Sequence, residues 1–283
     1  MTAASPASHS PASGSIAFIG GGNMARSLIG GLLARGASAA SIRVAEPVDA
    51  LRESLARDFG VEVFATAQEA TANADLWLLA VKPQVMRAVC EGLSAIAQAR
   101  KPLVVSIAAG ITAVQMQRWL GGGNAVIRAM PNTPALLGAG VTGLYASVQV
   151  DAAGRTRVQE LLSSAGETVW IGDEAKMDAV TAVSGSGPAY VFLLAEAMET
   201  AAKAEGLADD AARTLVLQTL LGAARMLTES NEAPGELRQR VTSPNGTTQA
   251  AIETFQDGGF EELVGKAIRA ASERGRQLSA AND

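Results

Sequence analysis

The 283-residue chain contains very few of the side chains on which hydrolytic and metal-dependent sites usually depend, with one His, one Cys and two Tyr. The single His, His9, lies in an Ala-, Ser- and Pro-rich stretch, residues 1–14, which we expect to be a disordered tail. A Ser-His-Asp or Cys-His catalytic site, a His-ligated zinc and a disulfide framework are therefore excluded, and no metal site is predicted.

Long apolar runs and a basic excess are also missing, and we expect no secretory leader. No uninterrupted apolar run approaches the ~18 residues of a membrane span, and the first residues lack the pattern of a signal peptide. The net charge of −5 gives no basic field for nucleic-acid binding. We therefore expect a cytoplasmic protein with neither a membrane nor a nucleic acid as partner. In that reducing compartment Cys90 is predicted to be a core residue of a helix rather than a nucleophile.

From Ser15 to about Gly172 the sequence alternates between short β-rich runs and helical periods, which predicts a dinucleotide-type α/β domain over residues 15–172. The helices expected between the first strands are Asn23–Arg35 and Val48–Phe59. The expected strands are Ile16–Ile19, Ile42–Ala45, Val61–Phe64, Leu76–Val81, Leu103–Ile107, Val126–Ala129, Thr142–Tyr145 and Thr168–Ile171. Such repeated strand–helix units are typical of a doubly wound, mostly parallel sheet.

After Gly172 no strand pattern follows, and an all-helical domain over residues 173–283 is predicted. Its expected helices are Pro188–Glu205, Asp209–Glu229, Thr247–Gln256 and Phe260–Leu278. The second of these carries apolar residues beyond one narrow stripe, which predicts burial on more than one side. We expect the surplus apolar surface to be buried against a second subunit.

The first predicted strand leads directly into a glycine loop and then a helix, which is the context that a dinucleotide-binding fingerprint requires. Gly20 would permit the tight turn, Gly22 would let the backbone approach a pyrophosphate, and the small Ala25 would let the helix pack closely on the strand. The helix N-terminus offers free N–H groups to the anion. The sequence therefore predicts that residues 20–25 bind the pyrophosphate of a nicotinamide cofactor.

Glu46 follows the second strand at roughly the distance, about 20 residues from the glycines, at which an acid binds the ribose 2′-hydroxyl. A carboxylate there would repel a 2′-phosphate, which favours NADH. Arg43 and Arg52 lie close in sequence and would favour NADPH if they reached that phosphate, so both cofactors stay open from the residues alone.

Three further loops follow predicted strands, and in an open α/β sheet ligands bind beyond the carboxyl ends of the strands. These loops are Ala80–Pro83, Ser106–Gly110 and Met130–Pro134. Lys82 is either a ligand contact or a solvated residue before a helix. The two prolines of the third loop form a rigid turn, and we expect Asn132 there to contact the cofactor.

Two polar loops of the helical half precede helices, namely Ser184–Pro188 and Thr242–Thr248. Helix capping alone would explain their Ser and Thr residues. The second loop also offers successive N–H groups, hydroxyls and a helix dipole, which together suit a small carboxylate. A substrate pocket and an ordinary cap are the two interpretations of this segment.

The motifs taken together resemble one family, pyrroline-5-carboxylate reductase. In order and spacing they are IGGGNMA, AVKP, VVSIAAGI, IRAMPNTPALLGAG, AVSGSGPAYVF, LLGAARML and SPNGTTQAAIE, and they cover residues 16 to about 278. The resemblance implies reduction of 1-pyrroline-5-carboxylate to L-proline by NADPH or NADH, the last step of proline synthesis. It also implies a Rossmann-like domain followed by a helical domain that forms a homodimer, in the family often assembled into larger rings.

The resemblance also implies roles for particular residues. Thr248 would be the substrate-contacting, catalytic residue, with Ser243, Gly246 and Thr247 on the carboxylate, in a loop that in the family faces the nucleotide domain of the neighbouring subunit. Glu46 departs from the small polar residue that relatives often have, which leaves the cofactor preference open. The residues implied to line the cofactor are Ile19, Gly20, Gly21, Gly22, Asn23, Met24, Glu46, Ala80, Val81, Lys82, Pro83, Ile107, Ala108 and Ala109.

Two other classes of function compete with this interpretation. A related reductase of hydroxy acids would need a catalytic Lys in the helical domain, where Lys203 lies late in a helix and away from the polar loops. A nucleotide-binding regulator would keep the glycine loop but has no need of the polar segment 243–248. A purely structural protein would explain neither of the two loops.

Overall fold

The computed structural model describes residues 14–282, which form two compact units. The first unit comprises residues 14–185 together with residues 271–282, and the second comprises residues 186–270. His9 and nearly all of the predicted tail lie outside the described residues; Gly14, at its end, is exposed. The domain boundary predicted near Gly172 stays a prediction, while residues 173–185 pack within the first unit.

An eight-stranded sheet in the order β3-β2-β1-β4-β5-β6-β7-β8 forms the centre of the first unit. Strands β1 to β6 are mutually parallel, in the 3-2-1-4-5-6 order of a dinucleotide-binding sheet. The predicted α/β class is therefore confirmed. The strands are β1 (Ile16–Ile19), β2 (Ile42–Ala45), β3 (Glu62–Phe64), β4 (Leu76–Leu79), β5 (Leu103–Ser106), β6 (Ala125–Met130), β7 (Gly140–Ala146) and β8 (Gly166–Trp170).

The sheet is not parallel throughout, because β7 runs antiparallel to β6 before β8 returns parallel to β7. The connection between β6 and β7 holds one short 3₁₀ turn, Thr133–Leu137, instead of a crossover helix. A parallel connection needs a dozen or more residues, so this short segment reverses the chain direction. Strand β4 also ends two residues earlier than predicted, at Leu79.

Helices cover both faces of the sheet, and two cores result because successive strand residues point to opposite faces. Phe18 and Leu78 lie in one core, while Ala17 and Trp77 lie in the other. Each fully buried large side chain contributes roughly 1.5–3 kcal/mol of transfer free energy. The helices of this unit are α1 (Asn23–Ala34), α2 (Asp49–Phe59), α3 (Ala67–Thr71), α4 (Pro83–Arg100), α5 (Ala113–Trp119), α6 (Ala152–Leu162) and α7 (Met177–Val180).

Cys90 lies in the second of these cores, on α4, with no exposed surface. Burial raises the pKa of its thiol to about 12, and the nearby Glu91 adds to this shift. The thiolate is the nucleophilic form of cysteine, so this residue is inert at neutral pH. Its predicted role as a core residue is confirmed.

The second unit, residues 186–270, consists of helices joined by loops. It holds α8 (Gly187–Ala204), α9 (Asp209–Glu229), α10 (Pro234–Arg240), α11 (Thr247–Asp257) and the first half of α12 (Phe260–Ala280). Helices α8 and α9 pack against each other. In the single chain only Ala212 and Val216 of α9 are buried, so burial of this helix on more than one side stays a prediction that needs a second subunit.

The second half of α12 packs within the first unit. The side-chain amide of Gln115 donates to the Ser279 carbonyl over 2.9 Å. Gly275 lies against Asp178, and a Cβ at this glycine would be 2.9 Å from the Asp178 Oδ1. Burial raises the pKa of Asp178, although Arg128 and Arg276 oppose that shift.

Within residues 14–282, no helix is both long and apolar enough to cross a bilayer.

Candidate active site

The glycine loop begins where β1 ends, and its first glycine makes a turn that no other residue would fit. Gly20 has φ of +101°, in the left-handed region, and its N–H donates to the Ala45 carbonyl over 2.8 Å. A Cβ at Gly20 would be 2.6 Å from the carbonyl oxygen of Ala80. The turn therefore brings the end of β1 against the ends of β2 and β4.

Gly22 and the start of α1 form the part of the loop that is open to a ligand. Gly22 is exposed, and a Cβ there would meet no atom within 4 Å. It is the N-cap residue of α1, so the N–H groups of Asn23 and Met24 have no acceptor within the helix. These donors and the helix dipole suit a pyrophosphate, so the residues present fit the cofactor that the sequence predicts.

Glu46 holds the glycine loop in place. Its Oε2 accepts the N–H of Gly21 over 3.0 Å, and its Oε1 accepts the N–H of Val48 over 3.1 Å. The residue is buried, with 8% of its surface exposed. Each carboxylate oxygen keeps further acceptor capacity, which leaves room for the predicted bond to a ribose hydroxyl.

The two arginines near Glu46 are already engaged in the protein. Arg43 contacts the Glu62 carboxylate and the carbonyls of Glu69 and Ala70. Arg52 donates to the Glu46 carbonyl over 2.7 Å and pairs with Asp49. Neither guanidinium is held ready for an additional phosphate.

The ends of β4, β5 and β6 lie side by side at the same edge of the sheet as the glycine loop. The N–H of Ala80 donates to the Ile19 carbonyl over 2.8 Å, and that of Ile107 to the Leu79 carbonyl over 3.2 Å. The structure therefore brings Ile19–Met24, Ala80–Pro83 and Ile107–Ala109 together in one region. Lys82 is exposed and is the N-cap residue of α4.

Asn132 also lies at this edge, but both ends of its side-chain amide are used within the protein. Its Nδ2 donates to the Ser184 carbonyl over 3.1 Å, and its Oδ1 accepts the N–H of Val141 over 3.0 Å. The predicted contact between Asn132 and the cofactor stays a prediction. Sequence reasoning missed the bond to Ser184, because it joins residues 52 positions apart in the chain.

The candidate substrate loop of the second unit is compact and uncharged. Asn245 has φ of +59°, and its N–H donates to the Gln249 Oε1 over 2.7 Å. The N–H of Gly246 donates to the Ser243 carbonyl over 3.0 Å, and α11 begins at Thr247. The segment Thr242–Thr248 therefore brings the four predicted substrate residues into one turn at a helix N-terminus.

Thr242 donates its hydroxyl to the Arg238 carbonyl over 2.7 Å, while the hydroxyls of Ser243, Thr247 and Thr248 are available to a ligand. Gly246 is the N-cap residue of α11 and provides no side-chain cap, so the N–H groups of Thr247 and Thr248 have no acceptor within the helix. Thr248 is half-buried, while Ser243 and Thr247 are exposed.

Within the described chain, no group of three or more His, Cys, Asp and Glu residues is arranged to hold a metal ion.

Family models and curated proteins match both parts of this chain. The family model for pyrroline-5-carboxylate reductase dimerisation matches residues 174–278, and the model for coenzyme F420-dependent NADP oxidoreductase matches residues 15–110. The pyrroline-5-carboxylate reductase of Pseudomonas aeruginosa is 54% identical over 266 residues, which cover 93% of this chain and 96% of that protein. That of Escherichia coli is 38% identical over 265 residues, covering 93% and 98%.

Solved structures are similar as well. A pyrroline-5-carboxylate reductase from Coxiella burnetii superposes with a TM-score of 0.90 at 41% identity, covering 94% of this chain and 98% of that one. The Plasmodium falciparum pyrroline carboxylate reductase with NADP bound gives a TM-score of 0.84 at 26% identity, covering 95% and 100%.

Fold and site together define a dinucleotide-binding oxidoreductase with a parallel-stranded N-terminal domain and a helical dimerisation domain. Within that class, the extent of identity over nearly the whole length is decisive. The chain belongs to the pyrroline-5-carboxylate reductase family.

Proposed function

We propose that this protein reduces 1-pyrroline-5-carboxylate to L-proline with NADH or NADPH, as the last step of proline biosynthesis. The observation that carries the proposal is the segment Thr242–Thr248. It presents main-chain N–H groups and hydroxyls, without any charged side chain, at the N-terminus of α11. That donor set suits a small carboxylate, and a regulator that only bound a nucleotide would have no use for it.

The cofactor is held by main-chain groups of the first unit. The N–H groups at the start of α1 bind the pyrophosphate, and Glu46 accepts from a ribose hydroxyl while it holds the Gly21 N–H. The loops Ala80–Pro83 and Ile107–Ala109 line the rest of the dinucleotide. When bound, the reduced nicotinamide supplies a hydride.

The substrate is a cyclic imine with a carboxylate. In the protonated form its C=N carbon is already an electrophile, so the reduction needs no histidine acid. The hydroxyls of Ser243 and Thr247 and the Thr247 N–H bind the carboxylate beside the backbone of Gly246. The Thr248 hydroxyl hydrogen-bonds the ring nitrogen and so orients the ring. Fixing the geometry of the reacting groups supplies several kcal/mol of the rate enhancement.

The protein acts as a homodimer. Large apolar side chains of the second unit are exposed in the single chain, for instance Phe192 and Leu193 on α8, each at 66%, and Leu221 on α9, at 55%. An exposed apolar surface of this kind is typical of an interface between subunits, and the dimerisation model matches this region. A ring of dimers, as implied by the family resemblance, stays a prediction.

The turnover assay follows the absorbance of the reduced nicotinamide on addition of 1-pyrroline-5-carboxylate. We expect oxidation of the cofactor that depends on this substrate, together with formation of proline. Oxidation with a 2-oxo acid instead would assign the chain to the hydroxy-acid reductases. Cofactor binding without any oxidation would indicate a nucleotide-binding regulator.

NADH is the preferred cofactor, because the buried Glu46 carboxylate would repel a 2′-phosphate and Arg43 and Arg52 are engaged elsewhere. In Glu46→Ser we expect the ratio of kcat/KM for NADPH to that for NADH to rise roughly tenfold, or about 1.4 kcal/mol. The ratio is the informative quantity, because loss of the hydrogen bond between Glu46 and Gly21 weakens the binding of NADH and NADPH equally.

A matched control is Glu53→Ser, which removes one negative charge from the exposed side of α2. It should leave the cofactor ratio unchanged. An unchanged ratio in Glu46→Ser would show that this carboxylate does not face the 2′-position.

A further inference from the structure

An irregular turn follows α7, at the end of residues 14–185 of the first unit. Residues Thr181–Gly185 form a π-type turn, which is rare and frequently found at functional sites. The hydroxyls of Thr181 and Ser184 donate back to the carbonyls of Met177 and Val180, four residues earlier. Such bonds compete with a regular helix and bend it.

The carbonyl of Ser184 has lost its helical partner for a reason that is visible in the sequence. In a continued α-helix it would accept the N–H of the residue four positions later, which is Pro188 and has no N–H. The side-chain amide of Asn132 takes that place over 3.1 Å. The other end of the same amide accepts the N–H of Val141, the second residue of β7.

Close packing around this turn allows little adjustment. A Cβ at Gly185 would be 2.5 Å from the Met130 Cε, at the end of β6, and a Cβ at Gly143 would overlap the Val180 side chain. Asn132 thus joins three segments of the first unit, namely the end of β6, the start of β7 and the π-type turn. It does so at the sheet edge that carries the proposed cofactor loops.

We propose that Asn132 is a positioning residue of the proposed reductase reaction and acts through Ser184 rather than by touching the cofactor. Each end of its amide already has a partner in the protein, and both partners are backbone groups of segments at this sheet edge. Holding the Ser184 carbonyl therefore fixes the end of β6, the start of β7 and the π-type turn relative to one another, at the sheet edge that carries the proposed cofactor loops. The inference rests on the proposed function.

The test is Asn132→Asp, which keeps the shape and the acceptor for the Val141 N–H but replaces the donor to Ser184 with an oxygen. We expect kcat to fall on the order of 10- to 100-fold, since a misplacement of about 1 Å costs this much. The Kd of NADH, measured by fluorescence titration of the full-length enzyme, should change by no more than about twofold, because pyrophosphate binding is untouched.

The matched control lies at the opposite end of the same strand. The Asn124 amide donates to the carbonyls of Leu120 and Gly122 over 3.3 and 3.2 Å, and this residue is 1% exposed. Asn124→Asp makes the same chemical change at a more buried site and should lower the Tm at least as much, yet leave kcat unchanged. If Asn132→Asp fails to fold, Asn132→Ser removes both bonds without a charge and should show the same selective loss of kcat.

Each other result overturns the proposal in a recognisable way. Equal kcat values for the Asn132 and Asn124 variants would make the role purely structural. A rise in the NADH Kd in parallel with the loss of kcat would place Asn132 on the cofactor. A wild-type enzyme that does not oxidise NADH or NADPH with 1-pyrroline-5-carboxylate would overturn the proposed function itself, and the inference with it.

Discussion

Replacing Thr248 with alanine is expected to lower kcat/KM for 1-pyrroline-5-carboxylate by roughly 10- to 100-fold. The proposed hydrogen bond joins the Thr248 hydroxyl to the charged ring nitrogen, and bonds to charged groups contribute about 1.5–3 kcal/mol. The KM for the cofactor should not change, because Thr248 belongs to a different part of the chain from the glycine loop. Steady-state kinetics with each substrate varied in turn measures both quantities.

Two further variants separate the hydroxyl from the fold of the helix. Thr248→Ser keeps the hydroxyl and should retain most of the activity. Thr254→Ala removes a hydroxyl from the same helix that donates to the Ala250 carbonyl over 2.9 Å, and it should leave kcat/KM unchanged. Wild-type kinetics in Thr248→Ala would remove this residue from the mechanism.

Replacing Gly20 with alanine is expected to weaken NADH binding by at least about 100-fold. The new methyl group would lie 2.6 Å from the Ala80 carbonyl oxygen, in a backbone conformation with φ of +101° that costs a non-glycine residue roughly 1–2 kcal/mol. Relief of the clash moves the end of β1 away from β4 and displaces the N–H groups at the start of α1. The Kd of NADH, obtained by fluorescence titration, reports the loss directly.

Gly36 is a suitable control for backbone strain. It has φ of +89°, follows the other end of α1, and a Cβ there would meet no atom within 4 Å. Gly36→Ala should therefore lower the free energy of unfolding by about 1–2 kcal/mol without a change in the NADH Kd. If Gly20→Ala bound NADH as tightly as the wild type, the glycine loop would not be the pyrophosphate site.

Much of the first unit can be predicted from the sequence because its strands are buried on both faces. Leu76–Leu79 is fully buried and entirely apolar, and this short continuous apolar run is enough to predict a strand. The direction of β7 is not encoded in this way, since an apolar run looks the same in either orientation. The length of the link from Met130 to Gly140 does carry the signal, because it is too short for a parallel crossover.

Two short helices were also within reach of sequence analysis. Thr66 and Glu69 before α3, and Thr112 and Gln115 before α5, form capping boxes in the structure. The S/T-x-x-E/Q pattern that produces them is readable in the sequence. Both helices are short, so their hydrophobic periodicity is too brief to be recognised by itself.

The candidate site also has one part that the local sequence predicts and another that it does not. The glycine loop follows from local residues, because a strand, a turn and a helix succeed one another without interruption. The bonds from Gly21 to Glu46 and from Asn132 to Ser184 join residues 25 and 52 positions apart, and no local pattern announces them. Such contacts depend on tertiary packing. The sequence therefore predicts which loops form the site, and the structure adds the hydrogen bonds that hold those loops in place.

The burial of Cys90 gives this enzyme a practical property for spectroscopy. It is the sole cysteine of the chain, and its thiol stays protonated at neutral pH. A cysteine introduced at an exposed position such as Val148, which is 94% exposed, would therefore react selectively with maleimide dyes or nitroxide labels. Distances between labelled subunits could then be followed during turnover without first removing any native thiol.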